Sequence, residues 1–347
     1  MIRSLLLTSL ILVILFSAGG ALNAQDPQPS WCLSVWYPSS EEPTGMDSIM
    51  GNLDLIDTVH PFWYNGLADG SILPSLDAED AEELAAWREA GLKIIPSILD
   101  GGFSQGIHDP AIRAKQIAEI VALIERMNYD GIDADYESFQ LATRDNFSLF
   151  IEELATALHA KGYLLTIAVH AKTEDAGQWE GAAAQDWTRI AAAVDVFQIM
   201  TYDYHNSVSE PGPIGPPQWS HDVIAYAATI TDLSKVRLGL HFYGLSWKRG
   251  NRAVAIPYSS VQRIIESFDL AFTRDPADME ARLDFKARGL PAQTIYVADA
   301  IGLEFKLDML MAAFPELGGV AIWGIGGEDP ANWGIIRDKR PASCKQA

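Results

Sequence analysis

One octet of the sequence concentrates groups that could do acid–base chemistry. Residues 130–137 read DGIDADYE, and alternate side chains of an extended strand point to the same face. Asp133, Asp135 and Glu137 therefore share one face of a predicted strand. Unpaired buried charge is costly, and crowding of three carboxyls raises at least one pKa. A carboxyl that keeps its proton near neutral pH can act as a general acid.

Glu137 is the last of the three acids, at the carboxyl end of its strand, where barrel enzymes carry their chemistry. Two other interpretations are an acidic ladder neutralised by lysines and a metal site, since hard cations bind oxygen ligands. No cluster of histidines accompanies the acids, so the sequence favours acid–base chemistry without a metal ion or a cofactor. The side chain of Asp130 points to the opposite face of the predicted strand, and Asp130 precedes Gly131. We interpret these two residues as structural.

The elements that must position these acids alternate along the chain. Strands are predicted at 33–37, 55–64, 93–99, 131–137, 164–170, 194–202, 236–243 and 319–323. Helical patterns lie between them. One begins at Asp109-Pro110, a cap followed by proline at the first helical position, and another runs to Lys161 before Gly162. Eight such units predict an α/β fold, a closed (β/α)8 TIM barrel. An open doubly wound sheet is the alternative, but no Gly-rich phosphate loop follows the first strand.

The interval from about residue 245 to residue 296 is longer than one connecting helix needs. It mixes apolar and polar stretches. We predict a small α+β insertion between the seventh and eighth strands, on the rim that carries active sites. A long loop with its own helix is the alternative.

Three segments of the sequence resemble the signatures of one enzyme family. The octet at 130–137 resembles the DGxDxDxE signature of glycoside hydrolase family 18, the chitinase and endo-β-N-acetylglucosaminidase family. Other matching positions are Met200, Tyr202 and Asp203 of the sixth-strand Met-x-Tyr-Asp pattern, and Trp323 at the end of the eighth-strand segment GGVAIW. Three such motifs in the right order are highly specific.

Further stretches resemble the bacterial branch that includes spore-cortex and cell-wall glucosaminidases. They lie at 60–70, 200–219 and 322–333, so the resemblance covers nearly the whole mature chain. Two differences from this bacterial branch affect the prediction of the substrate. The LysM repeats that this branch often carries are absent, and Asp133 stands where the branch often has Asn. The resemblance therefore leaves the choice of glycan open.

The resemblance implies a substrate-assisted retaining mechanism, in which the sugar's own 2-acetamido oxygen attacks the anomeric carbon. Glu137 would protonate the leaving oxygen and then deprotonate the incoming water. Asp135 would hold the acetamido N–H, and Asp133 would share a proton with Asp135 in a coupled titration. Tyr202 would donate its hydroxyl to the acetamido oxygen, and Asp203 would bind a sugar hydroxyl or assist Asp135.

Sugar binding is expected from side chains at strand ends. Trp323 would form the floor of the sugar subsite, and Met200 would shape the acetamido pocket. The other aromatic residues predicted to line the groove are Trp36, Trp63, Tyr64 and Tyr243. His170, which ends the fifth strand, is interpreted as a hydrogen-bonded wall rather than a catalyst.

The amino-terminal segment predicts export. Arg3, an apolar run and small residues up to Ala24 are typical of a secretory signal peptide over residues 1–24. A retained membrane anchor is the alternative, but a bilayer-spanning helix needs about 20 apolar residues. The mature chain, residues 25–347, is then expected to form one barrel domain and to be secreted or periplasmic.

The charge of the chain excludes some partners. The formal net charge is −21, and such a surface repels phosphate backbones and anionic lipid. Nucleic acid and stable membrane insertion are therefore not expected. The expected partner is an N-acetylated oligo- or polysaccharide, bound by a monomer.

The two cysteines, Cys32 and Cys344, lie near opposite ends of the mature chain. An even count in an oxidising compartment is consistent with a disulfide, and the first strand and last helix of a closed barrel are neighbours. The alternative is a buried thiol and a second one in a frayed tail.

These features together predict a secreted retaining glycosidase that hydrolyses β-1,4 linkages after N-acetylglucosamine-type sugars. Chitin oligosaccharides, peptidoglycan and related glycans are the candidate substrates. The alternative is a catalytically inactive carbohydrate-binding protein, although such relatives usually lack the terminal glutamate of the octet. A metal-dependent deacetylase would need a His-rich site that the sequence does not offer.

Overall fold

The computed structural model describes residues 31–38, 44–248, 252–286 and 291–340. The predicted signal peptide at 1–24 and Cys344 lie outside these residues, so the export and disulfide predictions stay predictions. Cys32 lies in the first strand.

Fourteen strands occur in the described part of the chain. They are β1 (Cys32–Tyr37), β2 (Thr58–Gly66), β3 (Ile72–Pro74), β4 (Lys93–Ile94), β5 (Ser97–Asp100), β6 (Gly131–Asp135), β7 (Leu164–His170), β8 (Val196–Met200), β9 (Val236–His241), β10 (Gly244–Lys248), β11 (Val254–Ile256), β12 (Ala281–Phe285), β13 (Gln293–Val297) and β14 (Gly319–Trp323). The order β1-β14-β9-β8-β7-β6-β5-β2, closed by parallel pairing of β1 with β2, makes an eight-stranded parallel barrel. This confirms the predicted (β/α)8 fold.

The third position of the barrel is divided between two strands. Both β4 and β5 pair in parallel with β2, and β5 also pairs with β6. Ile95-Pro96 separates them, and proline cannot donate a ladder hydrogen bond. The single strand predicted at 93–99 is therefore interrupted in its middle.

Helices surround the barrel. They are α1 (Thr44–Gly51), α2 (Ala81–Glu89), α3 (Phe103–Gly106), α4 (Pro110–Met127), α5 (Arg144–His159), α6 (Glu180–Ala183), α7 (Trp187–Ala193), α8 (Pro217–Ala228), α9 (Tyr258–Phe268), α10 (Ala300–Ala313) and α11 (Asn332–Lys339). Asp109 caps α4 by accepting from the main-chain N–H of Ala111 at 2.8 Å, as its position before proline predicted. Among the described residues, no helix is both long and apolar enough to cross a bilayer.

The predicted insertion between the seventh and eighth barrel strands is confirmed. Strands β10 to β13 form an antiparallel sheet in the order β11-β10-β13-β12, with α9 packed against it through buried Val261. A buried contact ties this unit to the barrel. Glu280 accepts from the main-chain N–H of Ile214 at 3.0 Å and lies 3.3 Å from His241 Nε2 at the end of β9.

A β-bulge in β2 determines which aromatic residues face the interior of the barrel. Phe62 is opposite Ser97 of β5 and Tyr64 is opposite Ile98, so an extra residue lies between them. Two successive side chains, Trp63 and Tyr64, consequently point outward into the main core between strands and helices. Strict alternation along β2, which the sequence alone suggests, fails at this point.

Candidate active site

A cleft of about 560 Å³ opens at the carboxyl ends of the barrel strands. Its lining includes seven residues predicted from the sequence, namely Trp36, Asp135, Glu137, Met200, Tyr202, Asp203 and Trp323. They come from four strands, β1, β6, β8 and β14, and from the loop segments that follow β6 and β8. The barrel thus brings together residues that are up to 287 positions apart in the chain (323 − 36).

Asp133 lies below the cleft, fully buried inside the barrel. Its carboxylate accepts four hydrogen bonds, from Trp36 Nε1 (3.0 Å), Ser97 Oγ (2.8 Å), Thr166 Oγ1 (2.6 Å) and Gln198 Nε2 (3.0 Å). Each oxygen serves two donors, as buried polar groups require. These donors use the acceptor positions of Asp133, and the charge of Asp133 raises the pKa of Asp135. The predicted sharing of a proton between the two carboxyls stays a prediction.

Asp135 and Glu137 are the two acids of the octet that reach the cleft. Burial raises the pKa of Asp135 well above its usual range, and the charges of Glu137 and Asp133 raise it further. Loss of solvent to the surrounding protein raises the pKa of Glu137 as well, with a contribution from Asp203, although 47% of the side-chain surface remains exposed. Coupled acids of this kind lose their protons in steps that belong to the pair. The pair therefore retains a proton at pH values where an isolated carboxyl would be ionised.

One oxygen of Asp135 has no partner. Its Oδ1 is buried and lacks any hydrogen-bond partner in the described residues, which is unusual for a buried carboxyl oxygen. Because Asp135 lines the cleft, this oxygen is available to a ligand that carries a hydrogen-bond donor.

The segment from His170 to Asp186 forms one wall of the cleft. His170 ends β7 and contacts Glu137 through both ring nitrogens. Trp179, which is 53% exposed, packs edge to face on the His170 ring with centroids 4.5 Å apart. Fully buried Lys172 holds the base of this segment by donating to the main-chain carbonyls of Asp175, Ala182 and Gln185 at 3.1, 3.3 and 2.6 Å.

The opposite wall follows β8. Burial and the neighbouring acids raise the pKa of Tyr202 well above 10, so its hydroxyl remains a neutral donor at physiological pH. Asp203 has a positive φ of 59°, a conformation that Asp tolerates better than most residues. Its carboxylate accepts a 2.6 Å hydrogen bond from the Tyr243 hydroxyl. Tyr243 therefore orients Asp203. It was predicted to line the groove, but it is not among the described residues that line the cleft.

Aromatic rings form the floor. Trp323 packs against Phe62 with ring centroids 4.9 Å apart, and Trp36 lies beside them in the same small cluster. Trp36 is fully buried, and its indole N–H is committed to Asp133. The partly exposed rings of Phe62 and Trp323 therefore supply most of the aromatic surface on this side of the cleft.

Besides Tyr243, two more residues predicted to line the groove are not at the cleft. Trp63 and Tyr64 are buried in the main core, where Trp63 stacks on Trp87 at 5.7 Å and the Tyr64 hydroxyl lies 2.9 Å from that of Tyr129. The prediction that they line the groove is wrong, because the bulge in β2 turns both outward. Phe62 takes the predicted place.

Asp130 and Gly131 lie at the start of β6, away from the cleft. Asp130 accepts from the main-chain N–H of Ile94 at 2.7 Å, which joins β6 to β4. A Cβ atom on Gly131 would lie 2.1 Å from the carbonyl oxygen of Leu164, so only glycine allows this approach of β7. The contacts of Asp130 and Gly131 therefore hold β6 against its neighbouring strands.

Sequence reasoning did not include several residues that line the cleft. They are Phe62, Gln178, Trp179, Tyr204 and Asn206. Trp179 and Tyr204 are large, exposed aromatic residues in loops that follow barrel strands. Loops at this end of a barrel carry binding residues, so their position in the sequence could have identified them. Among the described residues, no group of three or more His, Cys, Asp or Glu side chains could hold a metal ion.

Comparison with known proteins identifies the same family that the sequence motifs resemble. The sequence model of the family described as Glycosyl hydrolases family 18 matches residues 62–328. The putative sporulation-specific glycosylase YdhD of Bacillus subtilis is 34% identical over 192 residues, which are 54% of this chain and 45% of that protein. The cortical fragment-lytic enzyme of Bacillus subtilis is 25% identical over 67% of this chain and 55% of its own length. The chain thus spans about half the length of these curated relatives.

Solved structures share the fold. A chitinase from Chromobacterium violaceum superposes with a TM-score of 0.83 at 23% identity, covering 89% of this chain and 99% of that one. The spore cortex-lytic enzyme SleL of Bacillus cereus gives a TM-score of 0.83 at 18% identity, covering 92% and 77%. At these identities the likeness concerns the fold alone.

Proposed function

The chain belongs to glycosyl hydrolases family 18, and from this we propose that it is a retaining glycosidase with Glu137 as its proton donor. The bond cleaved is the β-1,4 linkage that follows an N-acetylglucosamine-type sugar. Residues 1–24 direct export in this proposal, so that the mature chain acts outside the cytoplasm.

The state of the Asp135–Glu137 pair is the observation that carries the proposal. Both pKa values are raised, so a proton is retained where a general acid needs one. The unpartnered Oδ1 of Asp135 supports a second role. An acetamido N–H would satisfy this oxygen, and a sugar without the acetamido group would leave it unpaired.

The two acids are close in the chain, and this spacing supports substrate assistance. Asp135 ends β6 and Glu137 follows it by two residues, and both side chains line the cleft. A retaining mechanism with an enzymic nucleophile places one carboxyl on each side of the sugar ring, about 5–5.5 Å apart. In this proposal Asp135 instead grips the acetamide. The acetamido oxygen then attacks the anomeric carbon while the proton of Glu137 passes to the leaving oxygen. Water opens the oxazolinium ion, and Glu137 takes a proton from it.

Tyr202 and Asp203 complete the proposed site. A phenol that stays protonated donates to the acetamido oxygen as it becomes the nucleophile and so fixes its position. Asp203, held by Tyr243, binds a sugar hydroxyl and keeps the pKa of Glu137 raised. Trp323 supports the ring of the sugar whose linkage is cut, and Met200 borders the acetamido group.

Relatives with printed activities include both chitinases and spore cortex-lytic enzymes. Chitin oligosaccharides, peptidoglycan and related glycans are therefore the substrates to test. The mature protein should be incubated with each, together with a high-mannose glycoprotein, and the products identified by mass and by the anomeric configuration in NMR spectra. Products with the β-configuration retained at a new N-acetylglucosamine reducing end are expected.

The variant Glu137→Gln tests the proton donor. It keeps the shape of the side chain and removes the transferable proton, so kcat should fall by about 10²–10⁴-fold while oligosaccharide binding persists. Glu119→Gln, at an exposed position of α4, is the matched control. Binding without cleavage by the wild type would indicate a carbohydrate-binding protein. Hydrolysis of a plain glucose polymer through a covalent ester would contradict the mechanism.

A further inference from the structure

The imidazole of His170 contacts Glu137 at two points. Its Nε2 lies 3.2 Å from the main-chain carbonyl oxygen of Glu137, and its Nδ1 lies 3.9 Å from Oε2 of the same residue. The His170 side chain is 13% exposed, with the indole of Trp179 against its ring. The ring is therefore held in place directly beside the proposed proton donor.

These contacts determine the tautomer of His170. A carbonyl oxygen only accepts hydrogen bonds, so Nε2 carries the hydrogen. In a neutral imidazole the lone pair is then on Nδ1, the nitrogen that faces the carboxyl of Glu137. Burial lowers the pKa of His170, although the hydrogen bond to Glu137 acts in the opposite direction. The ring is thus neutral at neutral pH.

The lone pair on Nδ1 of His170 interacts differently with the protonated and the ionised carboxyl of Glu137. It accepts a hydrogen bond from a protonated carboxyl, whereas it offers nothing to a carboxylate. The present separation of 3.9 Å is longer than a hydrogen bond, so the contact requires the Glu137 side chain, which is 47% exposed, to rotate toward Nδ1. Contacts of this kind are often long in the free protein and shorten in the complex.

We propose that His170 is a positioning residue that holds Glu137 in its protonated form, by accepting the carboxyl O–H at Nδ1. This inference rests on the proposed role of Glu137 as proton donor. During cleavage the proton passes from Oε2 to the leaving oxygen as the C–O bond breaks, and Nδ1 keeps its lone pair throughout. The other titratable groups that interact with Glu137 are Asp135 at the end of β6, and Tyr202 and Asp203 in the segment after β8.

The pH profile of kcat/KM tests the proposal. Its basic limb reports the pKa of the essential acid in the free enzyme. His170→Phe keeps an aromatic ring against Trp179 and removes both nitrogens, so the pKa of Glu137 should fall. The basic limb should move to lower pH by about half to one unit, which corresponds to the loss of one hydrogen bond. His170→Asn, which keeps a polar atom near the Nδ1 position, should restore much of the shift.

A matched control is available in the same barrel. His60 is buried in β2, and its ring, like that of His170, contacts a main-chain carbonyl oxygen: its Nδ1 lies 2.8 Å from that of Ile95. It is not among the described residues that line the cleft. His60→Phe should therefore leave the basic limb in place. A limb that stays unchanged in His170→Phe, or that moves to higher pH, overturns the proposal.

A second measurement separates this inference from the proposed function. The titration of Glu137 can be followed without substrate by NMR of protein labelled with ¹³C in its glutamate carboxyls, with the signal assigned from Glu137→Gln. A lower pKa in His170→Phe supports the contact with His170 even when the wild type cleaves none of the glycans, which would defeat the proposed function alone. An unchanged pKa in an active enzyme defeats the inference alone.

Discussion

Replacing Asp133 by asparagine should destabilise the barrel, because the carboxylate serves four buried donors and an amide has one acceptor oxygen. Trp36 can only donate, so the amide oxygen must take the position of Oδ2, which Trp36 and Ser97 contact at 3.0 and 2.8 Å. The new NH2 group then faces Thr166 and Gln198. The hydroxyl of Thr166 can turn to accept, whereas the amide of Gln198 must flip.

The cost follows from these contacts. Hydrogen bonds to charged groups contribute about 1.5–3 kcal/mol each, against about 1 kcal/mol for neutral ones. Four weakened bonds, partly offset by removal of a buried charge, give an expected loss of about 2–4 kcal/mol in the free energy of unfolding. Because the charge of Asp133 raises the pKa of Asp135, the same substitution should also lower that pKa.

Urea unfolding at pH 7 measures the loss, read from the midpoint at an unchanged slope. Asp130→Asn is the matched control, since Asp130 is an exposed acid three residues earlier with one main-chain donor at 2.7 Å. It should lose at most about 1 kcal/mol. Equal midpoints for Asp133→Asn and Asp130→Asn would refute the account of Asp133 as a charged acceptor of four hydrogen bonds.

Three further predictions concern groups around the cleft. Tyr243→Phe removes the 2.6 Å hydrogen bond to Asp203 and should lower kcat on N-acetylglucosamine oligomers about 5- to 30-fold with little change in stability; unchanged kcat would contradict this role. The pKa of buried Lys306 is lowered from 10.5 to about 8, so the folded state binds this proton less tightly than the unfolded state and stability should rise with pH between these values. The difference in unfolding free energy between wild type and Lys306→Met should therefore increase from pH 8 to pH 10.5, and a flat difference would refute it. Lys172→Met deprives three main-chain carbonyls of their donor and should loosen the segment that carries Trp179, raising KM and proteolytic cleavage there; an unchanged cleavage rate would count against it.

Much of the fold could be predicted from the sequence, because most barrel strands are short apolar runs separated by helical patterns. Strands β7 and β14 have the predicted bounds. Prediction failed where local geometry departs from regular alternation. The bulge in β2 has no sequence signature of its own, since FWY is three aromatic residues in a row and any of them could face inward. Pairing with β5, which is distant in sequence, decides that Phe62 does.

The hydrogen-bond partners of Asp133 could not be predicted from the sequence, for a different reason. Ser97, Thr166 and Gln198 are single polar residues in otherwise apolar strands, and each alone is ordinary. Only the barrel closure makes them neighbours of one carboxylate. The sequence showed that an acid on this face needed partners, while the identity of the partners depended on the register of four separate strands.

The same reasoning applies to Glu137 and limits what its octet can indicate. The octet fixes parity, which brings Asp135 and Glu137 to one face, but the raised pKa of Glu137 arises from burial and from Asp203, a residue of another strand. His170, from a third strand, adds the acceptor proposed above. A chain that keeps DGIDADYE but loses these neighbours would keep the carboxyl at the cleft with a pKa nearer its ordinary value. Under the proposed function, such a site would keep Asp135 and Trp323 for binding an N-acetylated sugar and would lack the proton at neutral pH. Activity in this fold is therefore a property of the whole carboxyl-terminal edge of the barrel, and an intact octet by itself does not distinguish an enzyme from a carbohydrate-binding relative.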